Sequence, residues 1–522
     1  MISNFSTQAV ASDTQIYDVR QRRNILIAIC LALIAVVASV SGLNVAQLPI
    51  ATDLRASQSE VLWMINVYAI TLAALLLPLG AVGDRWGRKP ILLVGLALFA
   101  VANAAAGFAA TIEIMLGARF LSGVGAAMIM PVTLSVITSV FPDGERSKAI
   151  GVWTAVAGSG GLLGMFLSAL LVDALNWRYL FLLPVVLVAV SAVMATRFIP
   201  NLREQSEHRF DFVGAILSLV AISALIYFLT EGPQQGWDMP VTLVSLAVAV
   251  GAGTGFAVWE LRYKAPLIDI RMFRQRSLTS GSLSLLTWFG VQAGVLVVLY
   301  PYFQAVLGWS GLLTTLGLMP IALSMMAFSL VAPRMLARVG TRVIMAAGIA
   351  IGAIGIALMA GLVSVDGGYL SVLPGMIALG VGMGLSMAPS TEAITSSLPR
   401  DQQGVASALN DVTRELGASL GVALLGGVFV VGYSRAIASR VGGLPVEAAQ
   451  SAGRGIADAL AIASQGKPYS HALYRAAQEA FVLGWQQSMW AGVVAMTVLF
   501  AFVLARGPES APLHAERTSD DV

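Results

Sequence analysis

The chain has 522 residues, of which 57% are hydrophobic and only 11% are charged, and its mean hydropathy is +0.82. Soluble domains carry about 25% charged residues, so this composition excludes a soluble protein and fits one that crosses a membrane many times. The net charge is +3, and one cysteine (Cys30) with three scattered histidines predicts neither a disulfide framework nor a metal site.

Apolar windows of about 20 residues predict fourteen membrane-spanning helices. In chain order they are 25–48, 61–79, 90–110, 112–139, 149–172, 177–196, 212–230, 240–259, 278–306, 311–333, 343–363, 370–393, 404–433 and 483–505. An even number of spans places both termini on one side of the membrane. Most of the 31 Lys and Arg residues fall in segments on that side, which the positive-inside rule makes the cytoplasm. The excess of basic residues therefore reflects the orientation of the chain in the membrane, and no nucleic-acid partner is expected.

A polar loop with four charges separates the second and third spans. It reads Gly80-Ala81-Val82-Gly83-Asp84-Arg85-Trp86-Gly87-Arg88-Lys89. Gly83 and Gly87 would let two helix ends approach closely. Asp84 can bond to Arg85, to Arg88 or to a neighbouring helix N-terminus. A charge cluster that must separate when a cavity opens acts as a conformational latch, whose candidate residues are Gly80, Gly83, Asp84, Arg85, Gly87 and Arg88. The alternative is a solvated loop that only supplies positive charge.

In its G-x-x-x-D-R-x-G-R-K order, this loop resembles that of the major facilitator superfamily. The resemblance extends over residues 25–505 and is to the fourteen-span drug:proton antiporter family. It implies an all-α integral membrane fold of two six-helix bundles with two extra central spans, working by alternating access. It also implies the proton gradient as energy source, no bound cofactor, and a monomer in the cytoplasmic membrane.

The fourth and fifth spans contain two further elements of this resemblance. Arg119 begins Arg119-Phe120-Leu121-Ser122-Gly123-Val124-Gly125-Ala126-Ala127, which is similar to an R-x-x-x-G-x-G-A-A element whose arginine is implicated in proton handling. A guanidinium inside a span normally faces a cavity, although a structural arginine bonded to backbone carbonyls is the alternative. The glycine-rich stretch 158–169 lies where proton-driven exporters have a Gly-Pro pair. Here Met165 replaces the proline, and packing of small residues explains the stretch equally well.

The first two spans lack the acids that exporters of this type usually carry. The stretch 39–49 contains no Asp or Glu, and Asn66 stands where exporters of quaternary ammonium compounds often have Asp. Because Asn cannot titrate, it cannot exchange a proton for a cation. The titratable groups must then come from the second half of the chain.

The chain divides in order into an N-terminal tail, a first six-helix bundle, an inserted helix pair with linkers, a second bundle and a C-terminal tail, at 1–24, 25–197, 198–277, 278–505 and 506–522. The loop at 333–342 echoes the Gly80 loop, with Ala337 in place of Asp84, and such repeats place a transport site near the midplane. The long outer loop 434–482 contains Ala-rich pieces at 447–463 and 471–481. These predict short amphipathic helices that form either a lid or a rigid cap.

Acids of the second half are, with Arg119 and Arg414, the candidates for a proton path. Glu392 lies near the cytoplasmic end of the twelfth span, without a basic residue within a helical turn. The thirteenth span contains Asp411, Arg414 and Glu415. Asp411 and Glu415 are four residues apart and share a helix face, and Arg414 can reach Asp411. A buried ion-pair network that only holds helices together is the alternative.

Polar and aromatic side chains inside the spans are the candidates for a substrate cavity. They are Asn44, Trp63, Asn66, Tyr68, Trp153, Trp288 and Phe289. Aromatic faces attract organic cations without fixing their shape, although several could instead belong to an interfacial belt.

Together these features predict a proton-coupled exporter of amphipathic drugs or toxic compounds, with lipid, protons and small molecules as partners. No phosphate-binding loop or catalytic triad spacing indicates an enzyme. One alternative is an exporter of a single metabolite, lipid or anionic antibiotic, for which the missing acids would be natural. A transport-inactive sensor or scaffold is another, but it would have no use for a latch.

Overall fold

The computed structural model of the chain describes residues 17–201, 210–442, 445–465 and 468–508. Almost all of these residues are α-helical, and fourteen helical segments are long and apolar enough to cross a membrane, which confirms the predicted fold class. The helices are α1 Val19–Leu54, α2 Gln58–Trp86, α3 Arg88–Gly107, α4 Ile112–Val140, α5 Asp143–Ala174, α6 Tyr179–Phe198, α7 Phe212–Gln235, α8 Pro240–Arg262, α9 Arg276–Pro301, α10 Gly311–Gly317, α11 Met319–Val339, α12 Thr341–Leu362, α13 Leu373–Thr395, α14 Gln403–Ala438, α15 Val446–Arg454, α16 Ile456–Ala463 and α17 Ser470–Arg506. The greater parts of the predicted tails 1–24 and 506–522 lie outside the described residues.

Two six-helix bundles repeat the same internal pairings. In the first bundle, α1 packs on α5 and α6, and α4 packs on α2 and α3. In the second, α9 packs on α14 and α17, and α13 packs on α11 and α12. The bundles meet where α2 crosses α14 and where α5 crosses α11. A site between repeats of this kind lies at the junction of the two halves.

The inserted helices α7 and α8 lie at one side of this junction. Helix α7 packs along both α2 and α14, whereas α8 packs mainly on α7. Few residues of α8 are buried, so most of its surface is free to face lipid. Helix α7 therefore places its side chains against the seam between the bundles.

A sharp turn at Gly87 separates α2 from α3. Its φ is +107°, in the left-handed region that glycine adopts without strain. We call the end of the bundle that carries this turn, with Arg85, Arg88 and Lys89, the basic end, and the other end the opposite end. Helix α2 starts at the opposite end with a reciprocal cap, in which Ser57 Oγ accepts from the Glu60 N–H and the Glu60 carboxylate accepts from the Ser57 N–H.

Several element boundaries differ from those that hydropathy predicts. The tenth span is divided into α10 and α11 at Leu318, where Pro320 starts a new helix. The ninth span ends in a π-helical turn, Tyr302–Val306. Gly455 divides the predicted helix 447–463 into α15 and α16. The predicted helix 471–481 is instead the first part of α17, because no helix-breaking residue separates it from the last span.

An ion pair at the opposite end anchors this extension of α17. Arg475 donates from both terminal nitrogens to the two carboxylate oxygens of Asp366, at 2.8 and 2.7 Å. These hydrogen bonds lower the pKa of Asp366 below its ordinary value. The contact joins the α12–α13 turn to the part of α17 that precedes the last predicted span.

Candidate functional site

Asp84 connects the two bundles at the basic end. Its carboxylate is buried and accepts from Arg88 Nη2 and Nε at 2.9 and 3.2 Å. It also accepts from the Gly404 N–H at 2.8 and 2.7 Å and from the Val405 N–H at 3.2 Å, in the first turn of α14. A carboxylate at a helix N-terminus is stabilised by the unpaired N–H groups and the helix dipole. Arg88, itself 1% exposed, donates in addition to the Ser139 hydroxyl of α4.

The crossing of α2 and α14 is close because small residues face each other there. A β-carbon at Gly80 would lie 2.6 Å from the Gly404 carbonyl oxygen and 2.8 Å from Ala408 Cβ. Gly83, which the sequence predicted to permit close approach, has room for a β-carbon, so that role belongs to Gly80. Gly87 instead supplies the positive φ of the turn.

For the transporter that the resemblance implies, Gly80→Ala is expected to keep α2 and α14 apart and to slow transport about tenfold or more, because overpacking a tight contact costs about 1–3 kcal/mol. Gly83→Ala is the matched control, since the nearest atom to a β-carbon there is Val132 Cγ2 at 3.5 Å. We expect that variant to transport at the wild-type rate. Initial rates in reconstituted vesicles measure both, and equal rates for the two variants would contradict the assigned role of the crossing.

Arg85 lines an open cleft of about 210 Å³ beside this contact. Lys264 and Asp401 line the same cleft. The buried ion pair of the loop is made by Arg88. Of the two arginines that the sequence predicted as partners of Asp84, Arg88 thus occupies the interior position and Arg85 the solvent-facing one.

Glu392 makes a second connection between the bundles near the basic end. The Ser147 hydroxyl of α5 donates to Glu392 Oε1 at 2.5 Å, and Arg146 is close enough to interact electrostatically. The sequence showed no basic residue within a turn of Glu392, because Arg146 comes from the other bundle. Glu392 therefore lies in α13 near the basic end, apart from the other predicted acids, Asp411 and Glu415, which lie in α14.

Arg119 is buried among the helices of the first bundle. It donates to Ser39 Oγ at 3.1 Å and to the Met64 carbonyl at 3.4 Å, and its guanidinium lies 4.3 Å from the ring centre of Tyr68. Ser39 in turn donates to Asn103 Oδ1 at 3.0 Å. Among the residues that the structure describes, no carboxylate is within ion-pair distance of Arg119. A buried cation with this neutral surrounding can attract an anion or modulate a nearby proton site.

Asp411 and Arg414 form a buried pair in α14. Arg414 Nη1 donates to Asp411 Oδ1 at 3.4 Å, and its Nη2 donates to the Ala157 carbonyl of α5 at 3.3 Å. Asp411 Oδ1 also accepts from Asn410, while its Oδ2 is buried without a hydrogen-bond partner. Removing one member of such a pair leaves an uncompensated buried charge. Through the hydrogen bond to Ala157, the pair contacts the first bundle.

Glu415 lies one turn from Asp411 and differs from it in two respects. Its side chain is half-buried, and no hydrogen bond or ion pair involves it among the described residues. It lies close enough to Tyr68 of α2 to interact electrostatically. The Tyr68 hydroxyl is buried without a partner, and the ring of Tyr68 lies against Arg119. Arg119 and Tyr68 thus belong to the first bundle, while Glu415 belongs to the second and also interacts electrostatically with Arg414 and Asp411.

A narrow void lies between the bundles beside Arg414, and it has no room for a water molecule. Its guanidinium lies 4.4 Å from the ring centre of Phe289 and 5.3 Å from that of Trp153, and both rings line the void. The Trp153 indole N–H donates to Thr133 at 3.0 Å, which fixes the ring. Trp153 and Phe289, two of the predicted cavity residues, thus both lie against the Arg414 guanidinium at the junction of the bundles.

The other predicted cavity residues lie elsewhere. Trp288 is fully buried against Gly352 of α12, so it packs within the second bundle and does not line the void. Tyr68 lies under Arg119, and Trp63 and Asn66 face α7. The side chain of Asn44 lies outside those that the structure describes.

Glu231 is a buried acid that the sequence analysis missed. It lies in α7, is 5% exposed, and accepts from Asn66 Nδ2 at 3.4 Å and from Gln235 Nε2 at 2.5 Å. The predicted seventh span ended at residue 230, so this carboxylate was counted with the outer loop. The sequence feature that could have revealed Glu231 is the apolar run of the seventh span, which continues up to this residue.

Comparison with known proteins gives a match to a family and to relatives named as efflux, resistance or export proteins. The model of the Major Facilitator Superfamily matches residues 27–422. The multidrug efflux pump LfrA of Mycolicibacterium smegmatis is 32% identical over 80% of this chain and 82% of its own. The methyl viologen resistance protein SmvA of Salmonella typhimurium is 29% identical over 89% and 93%. The cephamycin export protein CmcT of Amycolatopsis lactamdurans is 32% identical over 77% and 83%.

Solved structures of the same architecture have little sequence identity to the chain. The proton:xylose symporter XylE aligns with a TM-score of 0.60 at 13% identity, over 94% of this chain and 97% of its own. The human organic anion transporter MFSD10 aligns with a TM-score of 0.59 at 14% identity, over 92% and 99%. At these identities the likeness supports the fold alone.

Proposed function

The chain belongs to the Major Facilitator Superfamily, and from that membership we propose that it is a proton-coupled exporter of amphipathic compounds that works by alternating access. Membership makes it a transporter rather than an enzyme. The relatives it resembles are named as multidrug and antibiotic export proteins, which supports small toxic compounds as the cargo. We place it in a bacterial inner membrane with the basic end and both termini in the cytoplasm, in keeping with the positive-inside rule.

The contact of Asp84 with the N-terminus of α14 is the observation that carries this proposal. It joins the two bundles at the basic end, where the Ser147–Glu392 hydrogen bond makes a second connection. Breaking the Asp84 contact would let the basic end open while the bundles pivot about the junction. A carboxylate bound by N–H groups, rather than by packed apolar atoms, can release and reform without creating a cavity. This is the behaviour that a conformational latch requires.

Proton coupling in this proposal rests on Glu415. A half-buried carboxylate without a hydrogen-bond partner can gain or lose a proton without dismantling a network. The buried Asp411–Arg414 pair is fixed by its mutual contact and by Ala157, so we assign it the structural part. When the charge of Glu415 changes, Arg119 would interact with it electrostatically through Tyr68.

Efflux of a fluorescent lipophilic cation from reconstituted vesicles tests the proposed function. We expect export against a concentration gradient when a pH gradient is imposed, and only passive leakage when it is collapsed by an ionophore. An anionic amphipathic dye run in parallel tests the alternative cargo. Movement of the anionic dye alone would refute cation export, and movement of neither dye by folded protein would refute the exporter.

A further inference from the structure

A buried carboxylate without a counter-cation lies between α2 and α7. Glu231 is 5% exposed, and among the described residues neither Lys, Arg nor His is within ion-pair distance of it. Its two oxygens face the amide nitrogens of Asn66 and Gln235. Burying a carboxylate without a positive partner is costly, so a protein keeps such a group where a ligand can supply the charge.

Two aromatic rings lie on the same helices within one turn of this carboxylate. The ring centres of Trp63 and Tyr227 are 5.9 Å apart with the planes tilted by 40°. Trp63 precedes Asn66 by three residues on α2, and Tyr227 precedes Glu231 by four on α7, so each ring lies on the same helix face as its polar neighbour. Both residues are half-buried, so part of each remains exposed. We call Trp63, Asn66, Tyr227, Glu231 and Gln235 the α2–α7 site.

We propose that the α2–α7 site binds the charged part of an amphipathic organic cation. The carboxylate supplies the counter-charge, and the rings supply faces that attract a cation and cover its apolar groups. Both amides donate hydrogen bonds to the carboxylate. They fix its position but leave its negative charge uncompensated, so the carboxylate can bind a cation. The inference deepens the proposed function, on which it rests for treating the cation as cargo.

Binding of tetraphenylphosphonium to the purified full-length protein, measured by equilibrium dialysis, tests this site without requiring transport. We expect Glu231→Gln to weaken binding about tenfold or more, because the substitution removes the charge and preserves the shape. Neutral triphenylphosphine oxide should bind equally to both proteins. Monodisperse elution of each variant shows that the fold is kept.

A charge swap across the 3.4 Å contact distinguishes binding from structure. In the double variant Asn66→Asp with Glu231→Gln, the acid and the amide exchange places, and we expect affinity to return to within about threefold of wild type. Glu113→Gln, which removes an exposed acid at the same end of the bundle, is the control for long-range charge and should bind as wild type. Unchanged affinity in Glu231→Gln, absence of binding by wild-type protein, or failure of the swap to restore affinity would each overturn the inference. Glu231-dependent binding by a protein that exports nothing would instead refute only the proposed function.

Discussion

Asp84→Asn is expected to open the basic end, changing the ratio of closed to open forms by roughly 100-fold, or about 3 kcal/mol. The carboxylate now compensates Arg88, which is 1% exposed, and accepts from two N–H groups of α14. Asparagine keeps an acceptor but has no charge, so Arg88 is left buried without compensation and the helix N-terminus loses its anion. The N–H groups of Gly404 and Val405 belong to the second bundle, so their contact with Asp84 exists only when the end is closed, and weakening it favours the open form.

A distance measurement across the basic end reports this shift directly. Spin labels at Gly144 of α5 and Ser396 after α13 place one exposed position on each bundle, in a Cys30→Ala background. We expect the Gly144–Ser396 distance distribution of Asp84→Asn to move to longer values, with turnover reduced about tenfold or more.

Removing both charges is the control for the latch. In Asp84→Asn with Arg88→Met no buried charge remains unpaired, so part of any lost stability should return, while the distance distribution should stay long because the α14 N–H groups still lack their anion. An unchanged distance distribution in Asp84→Asn would contradict the latch. Unchanged turnover in folded protein would favour the scaffold alternative over the transporter.

The fold was predictable because the membrane imposes a single strong constraint on the sequence. Every span must satisfy its backbone hydrogen bonds internally over about 20 apolar residues, so window length alone yields fourteen helices. The constraint says little about where helices end in water. The extension of α17 to Ser470 and the break at Leu318 depend on capping and on contacts with neighbouring helices, which hydropathy does not record.

The site was predictable only where its residues are adjacent in sequence. The Asp84–Arg88 pair is four residues apart and could be foreseen, whereas Gly404 is 320 residues from Asp84 and gives no local signal. The sequence pattern also does not indicate which aromatic side chain faces the junction. Trp288 and Phe289 are neighbours on α9, but their directions differ by about 100° around the helix, and only Phe289 lines the void.

Glu415→Gln is expected to abolish uphill export while leaving exchange of substrate across the membrane intact. Glutamine preserves the shape of a side chain that has no hydrogen-bond partner among the described residues, so folding should be little affected. It cannot carry a proton, and accumulation against a gradient should therefore fall to the level of passive leakage. Counterflow, in which external substrate exchanges for internal substrate, needs the alternation of the bundles but no net proton movement.

Asp411→Asn is the matched control for this prediction, since it removes an acid one turn away on the same helix. It leaves the Arg414 guanidinium without its carboxylate, which is expected to lower stability by about 3–5 kcal/mol and to impair counterflow and uphill export together. Proton flux followed with a pH-sensitive dye inside the vesicles separates the two outcomes. Uphill export that persists in Glu415→Gln would move the coupling site elsewhere, and uphill export lost in Asp411→Asn alone, with counterflow intact, would assign it to Asp411. The contrast is sharp because the two carboxylates share one helix face, but only Asp411 forms an ion pair with Arg414, whose guanidinium contacts the first bundle at Ala157.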